Sequence, residues 1–108
     1  MLFTTMQALQ RANEVAGQHW FSQSAMRFFR TEIESDIMTM RDGRQFFVTS
    51  EQFVGSDGVA DERRYSIRWV GADGQVGTFG KFMEYDSKAH ALSVLADMHR
   101  NSSFPHPT

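Results

Sequence analysis

At 108 residues with a formal net charge of -2 and no cysteine, the chain is long enough to bury about two-thirds of the surface its unfolded form exposes, and it must do so without disulfides or thiolate metal sites. The balance of 11 basic against 13 acidic residues argues against a protein that grips nucleic acid through overall charge, and leaves only a local basic patch open. No apolar run approaches the roughly 18 residues of a membrane span, and the start, Met1-Leu2-Phe3-Thr4-Thr5-Met6, lacks a basic region followed by an apolar stretch, so a cytoplasmic protein without membrane association is expected.

Taken in chain order, Thr4-x-x-Gln7 reads as a capping box, and Met6, Leu9, Ala12 and Ala16 recur at helical spacing until Gly17 supplies a stop. The segment from Trp20 to Arg30 predicts a second short helix with Phe21, Ala25, Met26 and Phe29 on one face. Its aromatic density marks core or interface. Ile37-Met38-Thr39-Met40 and Gln45-Phe46-Phe47-Val48-Thr49-Ser50 flank Asp42-Gly43 and predict a β-hairpin that puts Ile37 opposite Val48 and Met38 opposite Phe47. Glu51 to Glu62 reads as a long acidic connection.

The stretch from Arg63 to Phe82 predicts a second hairpin turning on Asp73-Gly74, since both central residues of a type I′ turn need positive φ. A two-residue turn there pairs Trp69 with Thr78, Ile67 with Gly80, Tyr65 with Phe82, Arg68 with Phe79 and Ser66 with Lys81. Asp86-Ser87 then caps a helix whose stripe of Ala91, Leu95 and Met98 should bury Tyr65, Ile67 and Trp69. The expected fold is α+β: N-terminal helices, a four-stranded antiparallel meander of two hairpins, and a C-terminal helix packed on the sheet. One domain spans residues 1–100, and residues 101–108, with both prolines, read as a flexible tail.

Chemistry finds few footholds. His90, Ser93 and Asp97 lie on one exposed helix face with no cleft implied. The four histidines are scattered, and Asp57 to Glu62 lacks the alternating oxygen ligands of a calcium loop. No catalytic, metal or cofactor residue is therefore assigned. The hairpin face carrying Arg64, Arg68, Phe79 and Lys81 contrasts with the apolar one, and Arg68 opposite Phe79 would make a cation–π pair that props the guanidinium outward. The acidic residues Asp57, Asp61 and Glu62 feed the same strand. These seven residues form the expected partner-binding surface. Large apolar groups on both hairpin faces further require either helices on both sides of the sheet or apolar surface left for a partner or second copy.

The hairpin and helix from Tyr65-Ser66-Ile67-Arg68-Trp69 to Ala89-His90-Ala91-Leu92 resemble the three-stranded sheet and helix of phage integrase arm-type and plant ethylene-response DNA-binding domains, which lay the sheet in the major groove. The wider pattern between Phe28 and Leu95, with Phe46-Phe47-Val48-Thr49-Ser50-Glu51 followed by Arg64-Tyr65-Ser66-Ile67-Arg68 and Gly77-Thr78-Phe79-Gly80-Lys81-Phe82, is similar to small uncharacterised domains of bacteriophages and their lysogenic hosts. That resemblance implies a non-enzymatic phage accessory protein, of the class that includes anti-CRISPR inhibitors of bacterial defence, acting in the host cytoplasm on a host protein or protein–nucleic acid complex. The alternatives are a small DNA-binding module using the face of the 63–82 hairpin, and a homodimeric structural protein.

Overall fold

A computed structural model describes residues 2–102. Helix α1 (Met6–Val15) and helix α2 (Gln23–Phe28) precede strands β1 (Glu32–Ile33), β2 (Met38–Thr39), β3 (Gln45–Glu51), β4 (Arg64–Val70) and β5 (Val76–Phe79), and helix α3 (Lys88–Asn101) closes the chain. The fold is α+β, with an antiparallel sheet ordered β1-β3-β4-β5 and β2 also paired to β3. The sheet has five strands where the sequence suggests four. β1 and β2 are two pieces of one interrupted edge, pairing Ile33 with Thr49 and Met38 with Phe46. At the interruption the Ser35 hydroxyl accepts the Val48 N–H at 2.9 Å, standing in for the strand carbonyl.

One turn recurs three times and sets the register of the sheet. In Met40–Arg44, Gly55–Val59 and Gly71–Gln75 the first residue's N–H donates to the last carbonyl at 2.7, 3.0 and 2.8 Å, closing a three-residue loop. The central aspartate of each, Asp42, Asp57 or Asp73, accepts the backbone N–H two residues on at 3.0–3.1 Å. The following glycine alone takes positive φ, at 93°, 81° and 92°, as a type I turn closed by a glycine bulge requires. In the first turn the Arg44 backbone N–H, reinforced by its guanidinium at 2.8 Å, holds the Asp42 carboxyl below its ordinary value.

A three-residue loop shifts each hairpin by one residue from the two-residue expectation. Ile67 faces Phe79, Arg68 faces Thr78 and Trp69 faces Gly77, while Met38 faces Phe46 rather than Phe47. A slip of one residue exchanges the faces of the sheet, so Phe79 joins the side of Ile67. The expected long loop from Glu51 to Glu62 is instead the tip of the β3–β4 hairpin, carrying a further bridge between Val54 and Ala60.

Helices cover both faces. On one, Phe46, Val48, Ile67 and Tyr85 pack with Met40 against Ala91 and Leu95 of α3, with Tyr65, Phe79 and Met98 at the margin. On the other, Phe47 and Val76 pack with Phe3 and with Leu9 of α1, flanked by Trp20, Phe21 and Ile37. Strand β3 is buried along its whole length, which suits a strand covered on both sides.

Side-chain amides fasten the N-terminal layer to the sheet. Gln45 pairs with the backbone of Phe3 in both directions, at 3.0 and 2.8 Å, and Gln18 does the same with Val76 at 2.8 Å each way. Buried Asn13 donates to Gln18 and to the Gly74 carbonyl and accepts the Trp20 N–H. Helix α1 is capped by Thr5 rather than Thr4, and α2 by Ser22. At the far end Asn101 closes α3 and the Ser102 hydroxyl accepts the Arg41 N–H at 3.1 Å; the rest of the expected tail, residues 103–108, lies outside the described residues.

Trp69 departs from its expected burial. It is 39% exposed and lies across Gly77, where an added Cβ would meet the indole at 2.1 Å. Trp69→Ala is therefore expected to cost well under the roughly 3–5 kcal/mol of a fully buried aromatic, read as a small shift of the thermal midpoint. An unfolded Trp69→Ala variant would contradict this placement.

Candidate functional site

Helix α2 forms a lip over the sheet. The chain reaches it through Trp20 and Phe21, whose rings pack on each other at 4.8 Å and on Phe47 at 5.9 and 6.2 Å. It leaves through Arg30, at φ 48°, with the Thr31 N–H returning to the Met26 carbonyl at 2.7 Å. No residue of α2 is fully buried. Beneath the lip lies a cavity of about 300 Å³ walled by Trp20, Ala25, Met26, Phe29, Thr31 and Phe82, with Arg68 as its floor.

Arg68 is held from every side. Its Nε donates to Thr49 Oγ1 and its Nη2 to Glu51 Oε2, both at 2.9 Å, and its Nη1 donates to Thr78 Oγ1. Glu51 is fully buried, and its two oxygens also accept the Thr49 and Ser66 hydroxyls at 2.6 Å. The guanidinium carbon lies 5.2 Å from the ring centres of both Trp20 and Phe82, within cation–π range. Every buried side-chain nitrogen and oxygen of this network has at least one hydrogen-bond partner, as a buried ion pair requires.

A second cavity, about 440 Å³, borders it across the shared residues Met26 and Thr31 and is edged by Arg27, Arg30, Glu32, Gln52 and Arg63. Arg63 is anchored by the Arg30 carbonyl at 2.9 Å and Ser50 Oγ at 2.8 Å, with Glu32 at 3.7 Å. Arg30 reaches Gln52 at 3.4 Å, and Arg27 is exposed on the last turn of α2. Phe28, Phe29 and Phe82 form an edge-to-face run beside it, with centres 4.7 and 5.0 Å apart, and Phe28 is 79% exposed.

The structure spreads the seven residues expected to bind a partner over different places. Arg68 is buried rather than presented, and its cation–π partners are Trp20 and Phe82 instead of Phe79. Phe79 sits on the opposite face, edge-on to Phe46 at 5.2 Å. Arg64 is spent on the carbonyls of Met83 and Glu84 at 2.7 and 2.9 Å, and Lys81 is exposed beyond the end of β5. Asp57, Asp61 and Glu62 are exposed on the hairpin tip, which adjoins the arginine-edged groove where Gln52 Nε2 donates to the Asp61 carbonyl. On α3 the Ser93 hydroxyl donates to the His90 carbonyl rather than to its ring, and His90 faces Asp86 at 3.4 Å.

Among the described residues no group of His, Asp and Glu side chains is placed to hold a metal ion, and no helix is long and apolar enough to cross a membrane. The residues of this candidate site that the sequence reading does not assign are Trp20, Phe82, Arg27, Arg30, Arg63 and Glu51. For Glu51 a signal was present: Asp57-Gly58 closes a hairpin that puts Glu51 on the same face as Ser66 and Arg68. No match was found among curated proteins or among solved structures. The chain belongs to a family of unknown function, DUF7447, whose model matches residues 5–96, from the cap of α1 into the last turns of α3.

Proposed function

We propose that this member of the family is a binding module that acts by docking a protein partner in the groove beneath α2. The observation that carries the reading is the junction of an aromatic-walled cavity with an arginine-edged one across Met26 and Thr31. A cavity of about 300 Å³ accepts one apolar side chain, and anchors of that kind concentrate binding energy. Arg27, Arg30 and Arg63 beside it offer planar, bidentate partners to carboxylates. The partner segment is thus an apolar anchor next to acidic residues.

A protein is favoured over nucleic acid because the net charge is -2 and the acidic tip at Asp57, Asp61 and Glu62 borders the groove; a polyanion would be drawn by the arginines and repelled by the tip. The narrower form of this reading, occlusion of a bacterial defence component by a phage-type accessory protein, rests on the resemblance of residues 28–95 alone and adds a choice of partner.

The test is affinity purification from a bacterial host with wild type beside two variants, Arg27→Glu with Arg30→Glu, and Ala25→Trp, which fills the cavity. Both should release the captured protein, with affinity falling roughly tenfold or more. Retention by both variants would remove the groove from the argument. Asp61→Lys with Glu62→Lys separates the DNA alternative: it should tighten DNA binding by roughly 1 kcal/mol or less per exposed charge and weaken or spare a protein complex. Affinity for DNA that stays in the non-specific range at physiological salt removes that alternative.

A further inference from the structure

A cavity of about 600 Å³ lies on the other side of α1 from the sheet core. It runs between the N-terminal segment at Leu2–Thr4 and the outer side of α1, and ends at the β4–β5 turn at Asp73. Its lining is largely aliphatic, and two of its residues stand far into solvent: Leu2 is 55% and Val15 85% exposed. Large side chains so exposed beside an apolar groove mark an interaction surface.

The groove also carries one charge of each sign. Arg11 projects from the middle of α1 and Asp73 from the turn, and neither forms an ion pair among the described residues. One Asp73 oxygen accepts the Gln75 N–H, and the other is left for another partner. Both charges sit on fixed backbone, because α1 packs directly on the turn: an added Cβ at Gly74 would lie 2.7 Å from that of Ala12.

We infer that this groove is a twofold interface with a second copy of the chain, in which Arg11 of each subunit pairs with Asp73 of the other. A twofold axis brings each patch onto its own copy, so a residue that meets another is met by it in return. A surface bearing one cation and one anion about an apolar floor satisfies that condition with itself. An acidic peptide would leave Asp73 unpaired, and a basic one would leave Arg11 unpaired; the second copy matches both. Val15 of each subunit then fills the partner's groove and is covered there.

Sedimentation equilibrium of the full chain tests the inference. Wild type should be a dimer at micromolar concentration, and Val15→Asp, at a position too exposed to matter for folding, should raise the dimer dissociation constant at least tenfold. Arg11→Asp alone and Asp73→Arg alone should each do likewise, and the two together should restore dimerisation because the pair is rebuilt with its signs exchanged. Thermal melts of each variant confirm the fold, and Asp73→Asn, which keeps the turn's acceptor oxygen, substitutes for Asp73→Arg if that variant fails to fold. A wild-type monomer throughout overturns the inference, as does a dimer indifferent to Val15→Asp or a charge-exchanged double variant no better than its single parents. None of these outcomes bears on the groove beneath α2.

Discussion

Arg68→Met is expected to lower the unfolding free energy by about 3–5 kcal/mol, the usual cost of stripping one partner from a buried ion pair. The reason lies in Glu51, which is fully buried and would lose the guanidinium that reaches it at 2.9 Å, with no other cation paired to it among the described residues. Hydroxyls from Thr49 and Ser66 would remain, but they cannot neutralise a charge. In a domain whose whole stability is on the order of 5–15 kcal/mol, such a loss leaves little margin. Urea denaturation measures it. Adding Glu51→Gln should recover a good part of the deficit, since the amide oxygen still accepts from a neighbouring hydroxyl and no charge is left behind. Equal midpoints for the single and double variants would show that the ion pair is not what the network depends on.

Phe47→Ala is the second large effect. The ring is fully buried, and both Trp20 and Phe21 pack against it. Emptying that position should cost about 3–5 kcal/mol in lost transfer energy and cavity. For a domain of this size each kcal/mol moves the thermal midpoint by roughly 4–8 °C, so a fall of about 12 °C or more is expected. Loss of the ring also removes the support of the segment leading into α2, and binding at the groove should weaken in any molecules that stay folded. A midpoint within a few degrees of wild type would mean that the N-terminal layer is held chiefly by its amide hydrogen bonds.

The α+β class, the first and last helices, and the alternation of β4 were legible because each has a local cause: a capping hydroxyl, a helical repeat, a period of two. The register was not. Asp73-Gly74 is compatible with a two-residue turn that needs positive φ at aspartate and with a three-residue turn that spares it, and the aspartate's bond to the Gln75 N–H decides for the second. The same dipeptide at Asp57-Gly58 went unread, and with it the pairing that aligns Glu51 with Arg64.

The exposure of the faces failed for a related reason. Arginine is rarely fully buried unless paired, and the partner of Arg68 lies across a hairpin whose tip reads as a loop in the sequence. Burial of the sheet on both sides did have a trace in the sequence, since Phe46-Phe47-Val48 interrupts the alternation of a half-exposed strand. The two-residue strand β1 left no trace at all.

The pairing of Gln18 with Val76 reaches beyond the attachment of α1. β5 is the last strand of the sheet, and a bare outermost strand is a template on which other chains stack into aggregates. Here the outward N–H and C=O of Val76 are already taken by a side-chain amide, which fills the place of a neighbouring peptide group and cannot be extended into a further strand. One glutamine thus stops the sheet from growing at that rung, and a chain that lost it would offer an open ladder to its neighbours in a crowded cell.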